Sequence, residues 1–187
     1  MAEAPAPRDE RITAATLELL RAKGPKAVTV EAVAALSGVA KTTIYRRYSN
    51  RGDMLTSSLS SIAEPEPPPE NATLPAVLRW VVEQSLHVAD TSIGAGGVAA
   101  LLTDDDPEFT ALIRALLVQH RHHLTEALSA AFAATTPRAE LDADTVLDMI
   151  VGAYLAETAR SGGIRDDFDE RVLSVIGCAI TAGTPNR

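Results

Sequence analysis

A single cysteine, Cys178, stands among the 187 residues. No intramolecular disulfide framework can form from it, and a reducing compartment suits the chain. The residue is expected to be a small apolar side chain buried in the last helix, not a redox sensor. Aromatic residues are scarce, at 4%, so the core implied by 46% hydrophobic content must be built mainly of Ala, Leu, Val and Ile. β-branched alternation is nearly absent, which argues for an all-α chain. No apolar run approaches the ~18 residues of a membrane span, and no basic segment followed by an apolar one reads as a signal. The expected location is the cytoplasm, with no membrane partner. The patterns GxSxG and HExxH, a phosphate loop and a CxxC pair are all missing, so no enzyme is expected and no cofactor is implied.

What is present is concentrated between Thr29 and Tyr48, TVEAVAALSGVAKTTIYRRY. Val30, Val33, Ala34 and Leu36 give a first short helix a small apolar face, and the Thr29 hydroxyl stands where it can cap free N–H groups. Ser37 and Gly38 interrupt the run, and a left-handed Gly38 lets a second helix leave at a steep angle. In that helix Val39, Ile44 and part of Tyr45 turn to the core. Lys41, Thr42, Thr43, Arg46, Arg47 and Tyr48 remain for solvent, a face suited to phosphates and base edges. The pattern is a helix-turn-helix and points to double-stranded DNA. A leading helix, about Asp9 to Lys23, covers its core with Ile12, Ala15, Leu19 and Leu20.

These residues closely resemble the TetR family of bacterial one-component transcription regulators. The resemblance begins with RITAATLELLRAKG at residues 11–24 and runs through RGDML to Leu55, roughly the first third of the chain. It rests on Ile12, Ala14, Ala15, Gly24, Thr29, Gly38, Val39, Thr43, Tyr45, Tyr48 and Arg51 in the family's order. Ala40 departs from the family's frequent Ser and lacks a capping oxygen, a loss of ~1 kcal/mol. Tyr48 replaces a common Phe, Arg51 a usual Lys, and Gly52 a frequent acidic residue. The resemblance implies a three-helix DNA-binding domain followed by a helical ligand-binding and dimerisation domain. It further implies a homodimeric repressor on an inverted-repeat operator, answering to a small-molecule effector. Base-edge contacts are assigned to Thr42, Thr43 and Arg46. Lys41 and Tyr45 reach bases or phosphates, and Thr29, Tyr48 and Arg51 are placed for phosphates.

The formal net charge of −8 hides a division. Residues 1–55 hold 9 Lys and Arg against 6 Asp and Glu, and the remainder hold 8 against 19. A basic excess therefore sits on the expected DNA reader. The chain reads as a flexible arm (1–8), a helix-turn-helix domain (9–55) and a helical effector-binding and dimerisation domain (56–187). Asn50 or Arg51 opens a fourth helix running to about Ala63, and EPEPPPENATLP breaks it. A fifth helix is expected from Leu74 to Asp90, with Gly94, Gly96 and Gly97 loosening the next segment. Asp104, Asp105 and Asp106 precede Pro107, the first residue of a long helix to about Ala134, where carboxylates suit the positive helix end. After the loop TTPRAELDAD, two further helices are expected at Thr145–Ser161 and Phe168–Ala182.

Two rows offer ligand contacts: Trp80, Gln84 and His87, and then Phe109, Ile113, Leu117 and His120. Both also read as plain core. His120 and His123 share a face within HRHH, but no carboxylate or cysteine completes a metal set, and a polar helix face explains them better. In the last two helices Val146, Ile150, Ala153, Val172, Val175, Ile176 and Ala179 are apolar over more than one stripe, which suggests a second copy. Small residues Gly152, Ala156 and Gly177 permit close approach. Two other classes remain open: a helical adaptor using those helices to bind a protein, and a metal-dependent hydrolase drawing on DDD and HRHH.

Overall fold

The computed structural model describes residues 7–135 and 142–181, and every regular element among them is helical. The elements are α1 (Arg8–Lys23), α2 (Val30–Ser37), α3 (Lys41–Arg47), α4 (Arg51–Leu59), α5 (Leu74–Leu86), α6 (Gly94–Thr103), α7 (Pro107–Ala134), α8 (Ala143–Ser161) and α9 (Phe168–Thr181). Short 3₁₀ turns at Pro25–Ala27 and Ser60–Ile62 and a π-helical stretch at His87–Ile93 link some of them. The all-α expectation holds. Most of the expected N-terminal arm, most of the loop before α8 and Ala182 lie outside the described residues.

The chain divides into two compact units, residues 1–64 with 88–119, and residues 65–87 with 120–187. A division at residue 55 does not describe this packing. Val88, Ile93, Ala100, Phe109 and Ile113 are buried in the same core as Ile12, Leu20, Val33, Ile44 and Leu55. Helix α6 and the first part of α7 therefore complete the N-terminal unit. The expected fifth helix is also shorter, since α5 ends at Leu86 and a π-helical stretch follows.

In the N-terminal unit α6 lies against α1 by virtue of Gly96. A Cβ there would stand 2.5 Å from the Gly24 nitrogen and 2.6 Å from the Leu20 carbonyl oxygen. The glycine that reads as a loosening element is a close-packing one. The three aspartates each have a local partner or conformation. Asp106 accepts the Phe109 N–H at 3.1 Å and caps α7, Asp105 pairs with Lys26 at 2.7 Å, and Asp104 takes a left-handed turn (φ 54). They form a helix start, and no group of three metal-ligating side chains occurs among the described residues.

The C-terminal unit packs Leu78, Val81 and Val82 of α5 against Leu124 and Leu128 of α7, Val146, Leu147 and Ile150 of α8, and Ile176 of α9. Asp142 caps α8 by accepting the Thr145 N–H at 2.8 Å. Arg121 ties α7 to α8 through Asp144 and Asp148, each at 2.7 Å. Buried Glu157 accepts two hydrogen bonds from Arg171, at 2.9 and 2.6 Å, and the Arg165 N–H at 3.0 Å. Those bonds fasten the α8–α9 loop. The Arg171 guanidinium, helped by the Arg165 N–H, holds the Glu157 carboxyl down at about 2 against the opposing effect of burial. Cys178 is exposed, not buried as expected, because α9 turns it away from the core that Ile176 enters.

Candidate nucleic-acid interface

The geometry of the helix-turn-helix follows from a few single-residue devices. The Thr29 hydroxyl accepts the Ala32 N–H at 3.1 Å and starts α2. Gly38 ends it with φ 66 and donates its N–H to the Ala34 carbonyl at 3.0 Å. A residue with Cβ at position 38 would need the left-handed conformation and would stand 2.8 Å from the Arg11 guanidinium, which itself donates to the Ser37 carbonyl. Thus α1 fastens the end of α2 where the chain turns. Ser37 adds a local bond, accepting the Val39 N–H at 3.2 Å. Helix α3 begins after Ala40 with no side-chain cap.

Ile44 anchors α3 and is fully buried, with Val39 buried at the turn. Lys41, Thr42, Tyr45, Arg46 and Arg47 are exposed and Thr43 is half-buried. Tyr45 is 55% exposed, so it belongs wholly to the outer face and not partly to the core. Tyr48 is the converse correction: only 6% exposed, it lies in the core and not among the phosphate contacts. It follows the last residue of α3 with an extended backbone (φ −125, ψ 125), which takes the ring off the helix surface. Leu36, expected in the apolar face of α2, is exposed.

Arg51 is also reassigned. Its Nε donates to the Val28 carbonyl at 3.0 Å, and one Nη donates to the Pro25 carbonyl at 2.7 Å and to Asp106. The planar fork is spent on internal acceptors that sit 23, 26 and 55 positions away in the chain. Spacing within the motif gives no hint of them. Two cations of α3 have carboxylate partners: Lys41 pairs with Glu31 at 3.2 Å and Arg47 with Asp9 at 3.0 Å. The Glu31 carboxyl is held below its usual range by its own backbone N–H at the start of α2, and by Lys41. Arg46 enters no ion pair among the described residues. Pro7, Arg8 and Asp9 line an open groove with Thr43, Arg46 and Arg47.

The other expected sites are distributed differently. Trp80 is buried in the C-terminal unit and donates its Nε1 hydrogen to the Glu66 carbonyl at 3.0 Å, while Gln84 is half-buried and His87 exposed. Phe109 and Ile113 are fully buried in the core of the N-terminal unit with Leu117 packed beside them, whereas His120 falls in the C-terminal unit. Val146, Ile150 and Ile176 are consumed by their own core, and Ala153 and Val172 are half-buried. Of the expected dimer contacts only Val175, 61% exposed, and Ala179 face outward. Gly152 and Ala156, expected to permit close approach, join them as exposed residues of α8, together with Met149 and Val151.

Residues 12–57 match the model of the bacterial regulatory proteins, tetR family. That segment is similar to the DNA-binding part of the family. It is 28% identical over 123 residues to an uncharacterized HTH-type transcriptional regulator of Mycobacterium tuberculosis, and equally to one of Mycobacterium bovis. That match covers 64% of this chain, which spans about 60% of the length of those relatives. A transcriptional regulator from Rhodococcus sp. Rha1 shares the fold at a TM-score of 0.66 with 19% identity, over 95% of this chain and 99% of that one. FadR from Bacillus subtilis, solved in complex with stearoyl-CoA, shares it at 0.61 with 20% identity, over 94% and 99%. The segment matched by the family model runs from α1 into α4, the elements that seat α3. The family and these relatives are regulators, not enzymes.

Proposed function

We propose that the chain is a sequence-specific DNA-binding transcription regulator, a cytoplasmic repressor acting as a homodimer on an inverted-repeat operator. The observation that carries the reading is α3: Ile44 fixes the helix from behind, while Thr42, Tyr45 and Arg46 face outward, in no ion pair among the described residues. Thr42, Thr43 and Arg46 read base edges. Lys41, Tyr45 and Arg47 reach bases or phosphates, and the exposed Thr29 contacts phosphate. Tyr48 and Arg51 support this surface from inside.

The exposed apolar residues of α8 and α9 supply the contact with a second copy, centred on Met149, Gly152, Val175 and Ala179. A two-fold axis then presents two copies of α3 to successive major grooves, about 34 Å apart or somewhat more. A small-molecule effector releases the operator by binding the DNA-incompetent state more tightly. The stearoyl-CoA complex of the Bacillus subtilis neighbour supports ligand response in a protein of this fold.

The test is selection of bound sequences from a randomised duplex library at moderate salt. Enrichment of an inverted repeat is the expected result. Salt-sensitive binding with no enriched sequence would overturn the reading.

A further inference from the structure

We infer that Asp9 and Glu31 hold Arg47 and Lys41 as intramolecular counterions, which a DNA phosphate must displace. The inference rests on the DNA-binding reading above. Lys41 is the first residue of α3 and Arg47 the last, so both ends of the recognition helix carry a cation already engaged. The Lys41 Nζ lies 3.2 Å from Glu31 and an Arg47 Nη lies 3.0 Å from Asp9, with all four side chains more than half exposed. Each carboxylate stands in the first turn of its own helix, Asp9 on α1 and Glu31 on α2.

Non-specific binding draws its affinity from backbone phosphates, so cations that must first be freed weaken it. Reading of base edges by Thr42, Thr43 and Arg46 carries no such cost, because none of these is paired with a carboxylate among the described residues. The two ion pairs therefore weaken binding to every sequence alike while leaving the discriminating contacts intact. An exposed pair of this kind is worth up to about fivefold in an equilibrium constant at low salt, and screening erodes it as salt rises.

The experiment titrates the full chain onto a random-sequence duplex and onto the selected inverted repeat, by fluorescence anisotropy at roughly 50 mM salt. Asp9→Asn and Glu31→Gln are each expected to tighten binding about two- to fivefold on both duplexes. The double variant should combine the gains, since the pairs share no partner. Glu10→Gln, one residue along α1 and in no ion pair among the described residues, makes the same charge change and is expected to do less than Asp9→Asn. In an Arg47→Ala background, Asp9→Asn should have no effect. Equality of Asp9→Asn with Glu10→Gln, or persistence of its gain without Arg47, would overturn the counterion role in favour of a general field effect. A chain that binds the operator specifically but ignores these substitutions refutes this inference alone. One that binds neither duplex refutes the DNA-binding reading with it.

Discussion

The outward face of α3 and the outward faces of α8 and α9 differ in kind. Helix α3 is seven residues long and exposes hydroxyls, a phenol and cations, with Ile44 as its buried anchor. Helices α8 and α9 are 19 and 14 residues long and expose Met149, Val151 and Val175, while Val146, Ile150 and Ile176 fill their own core. A polar, cationic surface keeps its value against a wet, anionic partner such as DNA. An apolar one gains only when it is covered, and in the proposed dimer a second copy of the same surface covers it by symmetry. A short helix can read only if other elements hold it. Long helices can fill a core with one stripe and present another.

The contrast can be broken at several points. Ile44→Ala should have the largest effect, removing a fully buried anchor at a cost of about 2–5 kcal/mol to the N-terminal unit, read as a lowered denaturant midpoint. Val175→Asp should leave folding nearly intact, since the residue is 61% exposed. It would set like charges against each other across the two-fold, at a cost of several kcal/mol, so sedimentation should show a monomer. A persistent dimer would move the interface elsewhere. Arg51→Ala should lower stability by about 1.5–3 kcal/mol through its lost carbonyl and Asp106 bonds, yet leave the salt dependence of DNA binding unchanged. A phosphate contact would instead reduce the salt slope by about 0.9.

The last prediction is read against pH and concerns Glu157. Its folded value of about 2 lies below the ordinary 4.5, so its contribution is complete above the ordinary value and is lost as pH falls through the folded one. Thermal melts taken between those limits should fall more steeply for the native chain than for Glu157→Gln. Parallel curves would mean that the Arg171 and Arg165 bonds do not govern this part of the acid response.

The parts of the fold that were legible in sequence depend on neighbours in the chain. Thr29 and Gly38 act within four residues, and a three-residue cap at Asp106 explains the acidic run before α7. The missed features depend on distant partners or on one backbone turn. Arg51 is drawn inward by Pro25, Val28 and Asp106, and Tyr48 by the extended residue that ends α3. Gly96 reads as a loosening residue until the backbone of α1 is placed against it. In α8 and α9, periodicity reveals two apolar stripes but cannot assign one to the core, so Val146 and Ile176 read as interface residues although they fill the core of their own unit.

The claim that the outer face of α3 reads sequence is tested most directly with Arg46→Ala, titrated onto the selected operator and a set of its single-base-pair variants. The account predicts a loss of about 1–3 kcal/mol on the operator and relaxed discrimination at one base pair in each half-site, with thermal stability unchanged. An unaltered affinity and an unaltered discrimination profile would contradict it.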